Sequence, residues 1–122
     1  MTDPIMFPSG ESQPTELDNR FLAARTAHPK RRLFVADSPA GVLILGNPSR
    51  ANYLYYRSLI QGDDPADKAK AADVLLKYCA VDPDSGAIEA LLDDYPGLAG
   101  SAEVAGAIAK ACGIAKDAIA KK

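Results

Sequence analysis

Prolines divide this sequence into short segments and constrain its fold more than any other residue type. The chain has nine prolines in 122 residues. A proline inside a helix removes a backbone hydrogen bond and clashes with the preceding turn, so helices start at a proline or end just before one. We therefore expect boundaries between secondary-structure elements at Pro29, Pro39, Pro48, Pro65, Pro83 and Pro96.

The N-terminal quarter of the chain predicts a tail followed by one short helix. Residues 1–14 are rich in proline, serine and glycine, a composition that buries too little apolar surface to repay ordering, and we expect a flexible tail. Thr15 and Asp18 have the spacing of a capping box. The helix that they open should end before His28, because Pro29 follows. Its inward residues are expected to be Leu17, Phe21 and Ala24.

Two β-rich runs follow this helix. They cover Leu33–Asp37 and Val42–Leu45, and the residues Ser38, Pro39, Ala40 and Gly41 between them favour a tight turn. This pattern predicts a β-hairpin. The second run is apolar on both faces, which is typical of a central or interfacial strand.

The remaining prolines predict a series of helices. Asn47 should cap a helix that has Pro48 at its first position and runs to about Gln61. Asp64 and Pro65 open the next helix. A third should begin between positions 82 and 85, and a fourth at Pro96, with Gly113 as its C-terminal cap. The inward residues of the last three are expected to be Ala72, Leu75, Leu76 and Cys79, then Ile88, Leu91, Leu92 and Tyr95, then Leu98, Ser101 or Ala102, Ala105, Ile108, Ala109 and Cys112.

These elements predict one α+β domain that is mainly α. Residues 15–46 should form the short helix and the hairpin, and residues 47–113 a bundle of about four helices. For residues 114–122 the pattern fits a helical extension and a frayed segment equally. Two apolar surfaces run along the helix that follows Pro48, one with Ala51, Leu54 and Ser58 and the other with Tyr53, Tyr56 and Ile60. Together they are broader than one core-facing stripe requires.

The net charge of the chain and the types of reactive residue that it contains narrow the classes of function that are expected. The formal net charge is −2, which argues against a general nucleic-acid binder. Basic residues nevertheless cluster at Arg20, Arg25, Lys30, Arg31 and Arg32. A catalytic site is not expected, because the single histidine, His28, lies at a helix end. Cys79 and Cys112 are interpreted as small core residues, and no metal, cofactor, signal-peptide or membrane-spanning pattern is found.

The ordered motifs from Pro48 to Gly113 resemble the small tail assembly chaperones of long-tailed bacteriophages and prophages. The helix opening matches with Pro48, Ser49, Arg50, Ala51, Asn52 and Tyr53. The end of the next helix matches with Leu75, Leu76, Cys79, Val81 and Pro83. The following junction matches with Ile88, Leu91, Leu92, Tyr95, Pro96, Gly97 and Leu98. Each motif alone is unspecific, and their order and spacing carry the resemblance.

The resemblance implies a non-enzymatic protein that binds the tape-measure protein and keeps it soluble until the tail tube polymerises around it. It implies the host bacterial cytoplasm, absence from the mature virion, self-association and the major tail protein as a second candidate partner. We expect the client contact at Tyr53, Tyr56, Leu59 and Ile60, although these tyrosines would serve equally to pack the hairpin on the bundle. The alternative is a small phage-encoded nucleic-acid-associated or regulatory protein that uses the basic segment 20–32.

Overall fold

The computed structural model describes residues 15–114 and confirms an α+β fold that is mainly helical. Helices account for 62% of it, beside one small antiparallel sheet. The helices are α1 (Glu16–Ala27), α2 (Arg50–Gln61), α3 (Pro65–Cys79), α4 (Ser85–Asp94), the short 3₁₀ turn Leu98–Gly100 and α5 (Ala102–Ala111). The strands are β1 (Leu33–Ser38), β2 (Gly41–Gly46) and β3 (Ala80–Asp82).

The predicted hairpin is confirmed, and a third strand that the sequence analysis missed completes the sheet. β1 and β2 pair in antiparallel register from Leu33 opposite Gly46 to Ser38 opposite Gly41. Gly41 has φ +108°, a conformation that glycine adopts without strain and that suits the tight turn. β3 pairs with the other edge of β2. The apolar strand β2 is therefore central, as expected.

One hydrophobic core lies between the sheet and the helices. Its fully buried side chains come from β2, α3, α4, the 3₁₀ turn and α5. These are Leu43, Leu45, Leu76, Cys79, Ile88, Leu98 and Val104. Because each element contributes only one or two large side chains, the core depends on all of them being present together.

Side-chain caps explain where most helices begin. The Thr15 hydroxyl accepts from the Asp18 amide, and the Asp18 carboxylate accepts from the Thr15 amide, which confirms the predicted capping box. Asp64 caps α3 as predicted, with Pro65 at its first turn. Asp84 caps α4 within the predicted interval.

Two predicted helix starts are wrong. Asn47 does not cap α2: its side-chain oxygen accepts from the Arg32 amide at 2.7 Å, while Ser49 caps the helix by accepting from the Asn52 amide. Pro96 does not open the last helix either. It precedes the 3₁₀ turn, and α5 starts only at Ala102, after the backbone of Ser101 becomes extended.

Several predicted inward positions are also corrected. Leu75, Leu76, Cys79, Ile88, Leu98 and Ile108 are buried as expected, and Leu17, Phe21, Leu91, Leu92, Ala109 and Cys112 are partly buried. Ala72, Ala102 and Ala105 are exposed, Ser101 is partly exposed and Tyr95 is 38% exposed. In α3 the buried alanine is Ala71, and in α5 Val104, Ala107 and Ala111 are buried. The core-facing stripe of α5 is thus rotated by about one residue from the predicted one, while the stripes of α3 and α4 differ from the prediction only at Ala72 and Tyr95.

The end of α5 confirms Gly113 as its C-terminal cap. Gly113 has φ +78°, and its amide donates to the Lys110 carbonyl while the Ile114 amide donates to the Ala109 carbonyl at 2.8 Å. This pair of bonds is the Schellman motif, which satisfies the last carbonyls of a helix. The predicted tail at 1–14 and nearly all of the predicted extension at 114–122 lie outside the described residues.

Candidate partner-binding surface

The four residues predicted to contact a partner divide between the interior and the surface of α2. The rings of Tyr53 and Tyr56 lie 5.7 Å apart, centroid to centroid, and both pack against the core. Leu59 is only 5% exposed, whereas Ile60 is 41% exposed. Tyr53, Tyr56 and Leu59 therefore face the interior, and Ile60 is the only one of the four that is exposed to solvent.

The opposite face of α2 carries the second of the two apolar surfaces predicted along this helix. Leu54 is 49% exposed and Tyr55 is 48% exposed, and Ala51 and Ser58 lie beside them at helical spacing. The Ser58 hydroxyl donates to the Tyr55 carbonyl at 2.6 Å, so its polar group is satisfied within the helix. The sequence analysis recognised the stripe of Ala51, Leu54 and Ser58 but chose the tyrosine face, because periodicity does not reveal which stripe meets the core.

Tyr56 also borders an apolar groove of about 220 Å³ between α2, α3 and α5. None of the residues that line it is charged, namely Tyr56, Ala72, Leu75, Ala99, Ala105, Ile108, Ala109 and Ile114. Burial, the nearby Tyr53 ring and Cys112 raise the pKa of the Tyr56 phenol. The groove can receive an apolar side chain and offers no charged group to pair with an ionic one.

The basic cluster is largely engaged within the molecule. Arg20 forms an ion pair with Asp82 at 2.9 Å and donates to the carbonyls of Val42 and Asp82. The Arg31 guanidinium donates to the carbonyls of Asn47 and Tyr78. Arg32 donates to the Ala111 carbonyl at 3.1 Å. Of the five basic residues, Arg20 therefore binds two strands, and Arg31 and Arg32 bind a loop and helix ends.

Cys79 belongs to the core cluster, and Cys112, which is far from it in sequence, packs against the same cluster. Interaction between the two thiols and burial raise the pKa of Cys79, whereas the neighbouring Cys79 and Arg32 lower the pKa of Cys112. Cys79 is buried, as expected of a core residue, and Cys112 is only partly buried. Spacing gave no signal of this shared cluster, since it arises from the packing of α3 on α5.

Within residues 15–114, no three or more histidine, cysteine, aspartate or glutamate side chains come together in a way that would hold a metal ion. None of the helices described there has the length and apolar character required to cross a membrane.

Comparison with family models, with curated proteins and with solved structures gives no significant match to this chain.

Proposed function

We propose that the protein is a tail assembly chaperone of a long-tailed phage or prophage, which binds the tape-measure protein and keeps it soluble before tail-tube polymerisation. The resemblance from Pro48 to Gly113 supports this function. The structural observation that supports a binding role is the uncharged groove bordered by Tyr56. In this proposal the chain acts in the host bacterial cytoplasm, self-associates along its client and is left out of the mature virion.

The groove suits an apolar side chain projecting from a client helix. Alanines at positions 72, 105 and 109 line it, and small residues allow another backbone to approach closely. Amphipathic helices commonly bind by inserting anchor residues into such grooves. A tape-measure protein, being long and helical, would offer many such anchors. The client contact is thus assigned to Tyr56 and the groove walls, with Ile60 at the margin of α2.

The alternative, a nucleic-acid-associated protein using residues 20–32, is less well supported by the geometry. Phosphate binding requires guanidinium and ammonium groups that reach outward. Arg20, Arg31 and Arg32 instead donate to carbonyl or carboxylate oxygens of the chain itself. Protein binding through the apolar groove therefore ranks first.

Co-expression with the tape-measure protein of the same phage or prophage tests the proposal. The informative variant is Ala105→Glu, because Ala105 is exposed and lines the groove, so a carboxylate there would be desolvated by a bound apolar anchor. Ala90→Glu on α4 is the matched control, since Ala90 is also an exposed helical alanine.

We expect the wild-type chain and A90E to keep the client soluble and to co-purify with it. A105E should weaken the complex at least about tenfold, which corresponds to about 1.4 kcal/mol. If the client is equally soluble with and without the wild-type chain, the chaperone function is wrong. If A105E and A90E bind equally well, the function stands and the groove is not the contact.

A further inference from the structure

The outer edge of β1 has no partner strand among the described residues. β1 is the terminal strand of the sheet and pairs with β2 alone. The Asn47 amide donates to the Arg32 carbonyl at 3.2 Å, and bonded and non-bonded positions alternate along an antiparallel pair. The N–H and C=O groups of Leu33, Val35 and Asp37 therefore point away from β2. Within residues 15–114 no hydrogen bond reaches them.

A cleft of about 360 Å³ opens beside this edge, and we call it the edge cleft. β1 lines it with Leu33, Phe34 and Val35, α1 with Phe21, and α5 with the remaining residues. Val35 is 46% exposed. Strand edges are commonly protected by lysine, proline or a bulge, but β1 has no lysine or proline and its register with β2 is regular. An added strand would therefore find both unpaired backbone groups and room for its side chains.

The α5 wall of the edge cleft carries one charge of each sign. Glu103 and Lys110 are seven residues apart, so they lie on one face of the helix, about 10 Å from each other along its axis. That distance is too long for an ion pair between them, and neither pairs with another side chain in the described part of the chain. The exposed residues beside them in the cleft, Ala102 and Gly106, are small. This wall can therefore approach a second helix closely and offers it both charges.

We propose that the edge of β1 and the edge cleft bind a second copy of this chain, so that two sheets join into one sheet of six strands. The two β1 strands run antiparallel, with Phe34 opposite its counterpart and Leu33 opposite Val35 of the second copy. In this register the outward backbone groups of Leu33 and Val35 face each other, and the side chains that become neighbours are apolar. The contact is two-fold symmetric, which is the commonest arrangement of protein dimers.

The charges on α5 favour a second copy over an unrelated strand. A two-fold axis between the two Phe34 residues also makes the α5 helices antiparallel, so that Glu103 of each copy faces Lys110 of the other. Neighbouring strands lie about 4.8 Å apart, and α5 packs on β2 as well as on β1, so its axis lies inward from the edge. The two helices can therefore lie about 8–10 Å apart, which is the usual distance between packed helices. One symmetric contact thus pairs both charges of each copy.

The inference does not depend on the chaperone function, although the dimer would give a surface to the self-association included there. The groove bordered by Tyr56 is lined by Ala105, Ile108 and Ala109 of α5, whereas other residues of this helix line the edge cleft. A chain that binds no client could still dimerise, and a monomer could still bind a client.

The mass of the full-length protein in solution, measured by light scattering after size-exclusion chromatography, tests the dimer. We expect the wild type to have twice the chain mass of 12.8 kDa. Val35→Lys places a charge in the middle of the joined strands and should give a monomer. Val35→Thr keeps the β-branched shape at the same position and should remain dimeric.

Charge reversal on α5 tests the two-fold arrangement itself. Glu103→Lys and Lys110→Glu each place like charges opposite one another across the axis, and each should raise the dissociation constant of the dimer about tenfold. The double variant E103K/K110E restores opposite charges and should restore the affinity. Asp94→Lys, at the exposed end of α4, changes the net charge as much as E103K does and should leave the dimer intact.

The wild-type mass and the double variant decide the matter even if V35K fails to fold, which circular dichroism detects. A wild type that stays monomeric at the highest soluble concentration would refute the proposal. A dimer that persists unchanged in folded V35K and in both single charge variants would show that another surface joins the copies. Hydrogen exchange of a monomer that nevertheless protects the Val35 amide would show that another segment of the chain covers the edge, which also overturns the proposal.

Discussion

Arg31 lies where three parts of the chain meet. Its guanidinium joins the loop before α2, through the Asn47 carbonyl, to the end of α3, through the Tyr78 carbonyl. Gly46, at the end of β2, lies directly against it. One side chain therefore satisfies carbonyls that would otherwise be unpaired at a helix end, a role that charged donors perform well.

Gly46→Ala should destabilise the protein by displacing this guanidinium. The added Cβ would lie 2.9 Å from the Arg31 Nε and 3.1 Å from its Cζ. We expect a loss of about 1–3 kcal/mol in the free energy of unfolding, which is the cost of leaving such groups unsatisfied. Denaturant titration of the single variants G46A and R31A and of the double variant measures it.

The double variant supplies the control for this mechanism. Once Arg31 is replaced by alanine, the clash is gone, so Gly46→Ala should have almost no effect or stabilise slightly by reducing the freedom of the unfolded chain. If the double variant instead loses as much free energy of unfolding as the two single variants together, Gly46 acts independently of Arg31.

At the scale of single elements, the boundaries of helices are determined by local hydrogen bonds. Ser49 and Asp84 each cap a helix through a nearby backbone amide. At the other end, α5 closes with the Schellman motif at Gly113. Where two candidate caps lie two positions apart, as with Asn47 and Ser49, a distant partner decides: the Arg32 amide donates to Asn47, and Ser49 caps the helix.

Gly113→Ala should destabilise the end of α5. At φ +78° an alanine Cβ crowds the following carbonyl, which costs about 1–2 kcal/mol. Gly106→Ala in the same helix is the matched control. Gly106 has no neighbour within 4 Å of a built Cβ and no positive φ, so alanine should stabilise by about 0.5–1 kcal/mol.

Thermal denaturation measures both effects. G113A should lower the melting temperature, and G106A should raise it. A melting temperature of G113A equal to that of the wild type would contradict the role of Gly113 as a strained cap.

At the scale of the whole molecule, stability is distributed unevenly. The sheet and helices α3 to α5 share the core. By contrast, Ala24 is the only buried residue of α1. Arg20 joins this helix to the sheet by donating to the Asp82 carboxylate and to the carbonyls of Val42 and Asp82. A helix with so little apolar contact is expected to open before the core does.

Arg20→Ala should release α1 while leaving the core folded. We expect amide hydrogens of α1 to exchange about tenfold faster, since charged hydrogen bonds contribute about 1.5–3 kcal/mol. Amides of β2 should keep their protection. Hydrogen exchange followed by mass spectrometry measures both, with Arg25→Ala on the same helix as the control. Equal loss of protection in α1 and β2 would show that Arg20 supports the entire fold.

The sequence by itself determined the class of fold, the hairpin and most helix caps, because these depend on residues only a few positions apart. Thr15 with Asp18, Asp64 with Pro65 and Gly113 are examples. The apolar strand β2 was expected to be central or interfacial, and it is the central strand of the sheet. One residue of the candidate surface was also predicted from the sequence, since Tyr56 was expected at the client contact and borders the groove.

Only the tertiary structure decided which faces and side chains meet. It added β3 to the sheet, turned Leu59 inward and left Tyr55 outside. It directed Arg20, Arg31 and Arg32 onto carbonyls, and brought Cys79 and Cys112 to one core cluster. These contacts join residues distant in the chain, and their geometry depends on how the helices rotate and pack to fill one shared core, which local patterns do not specify.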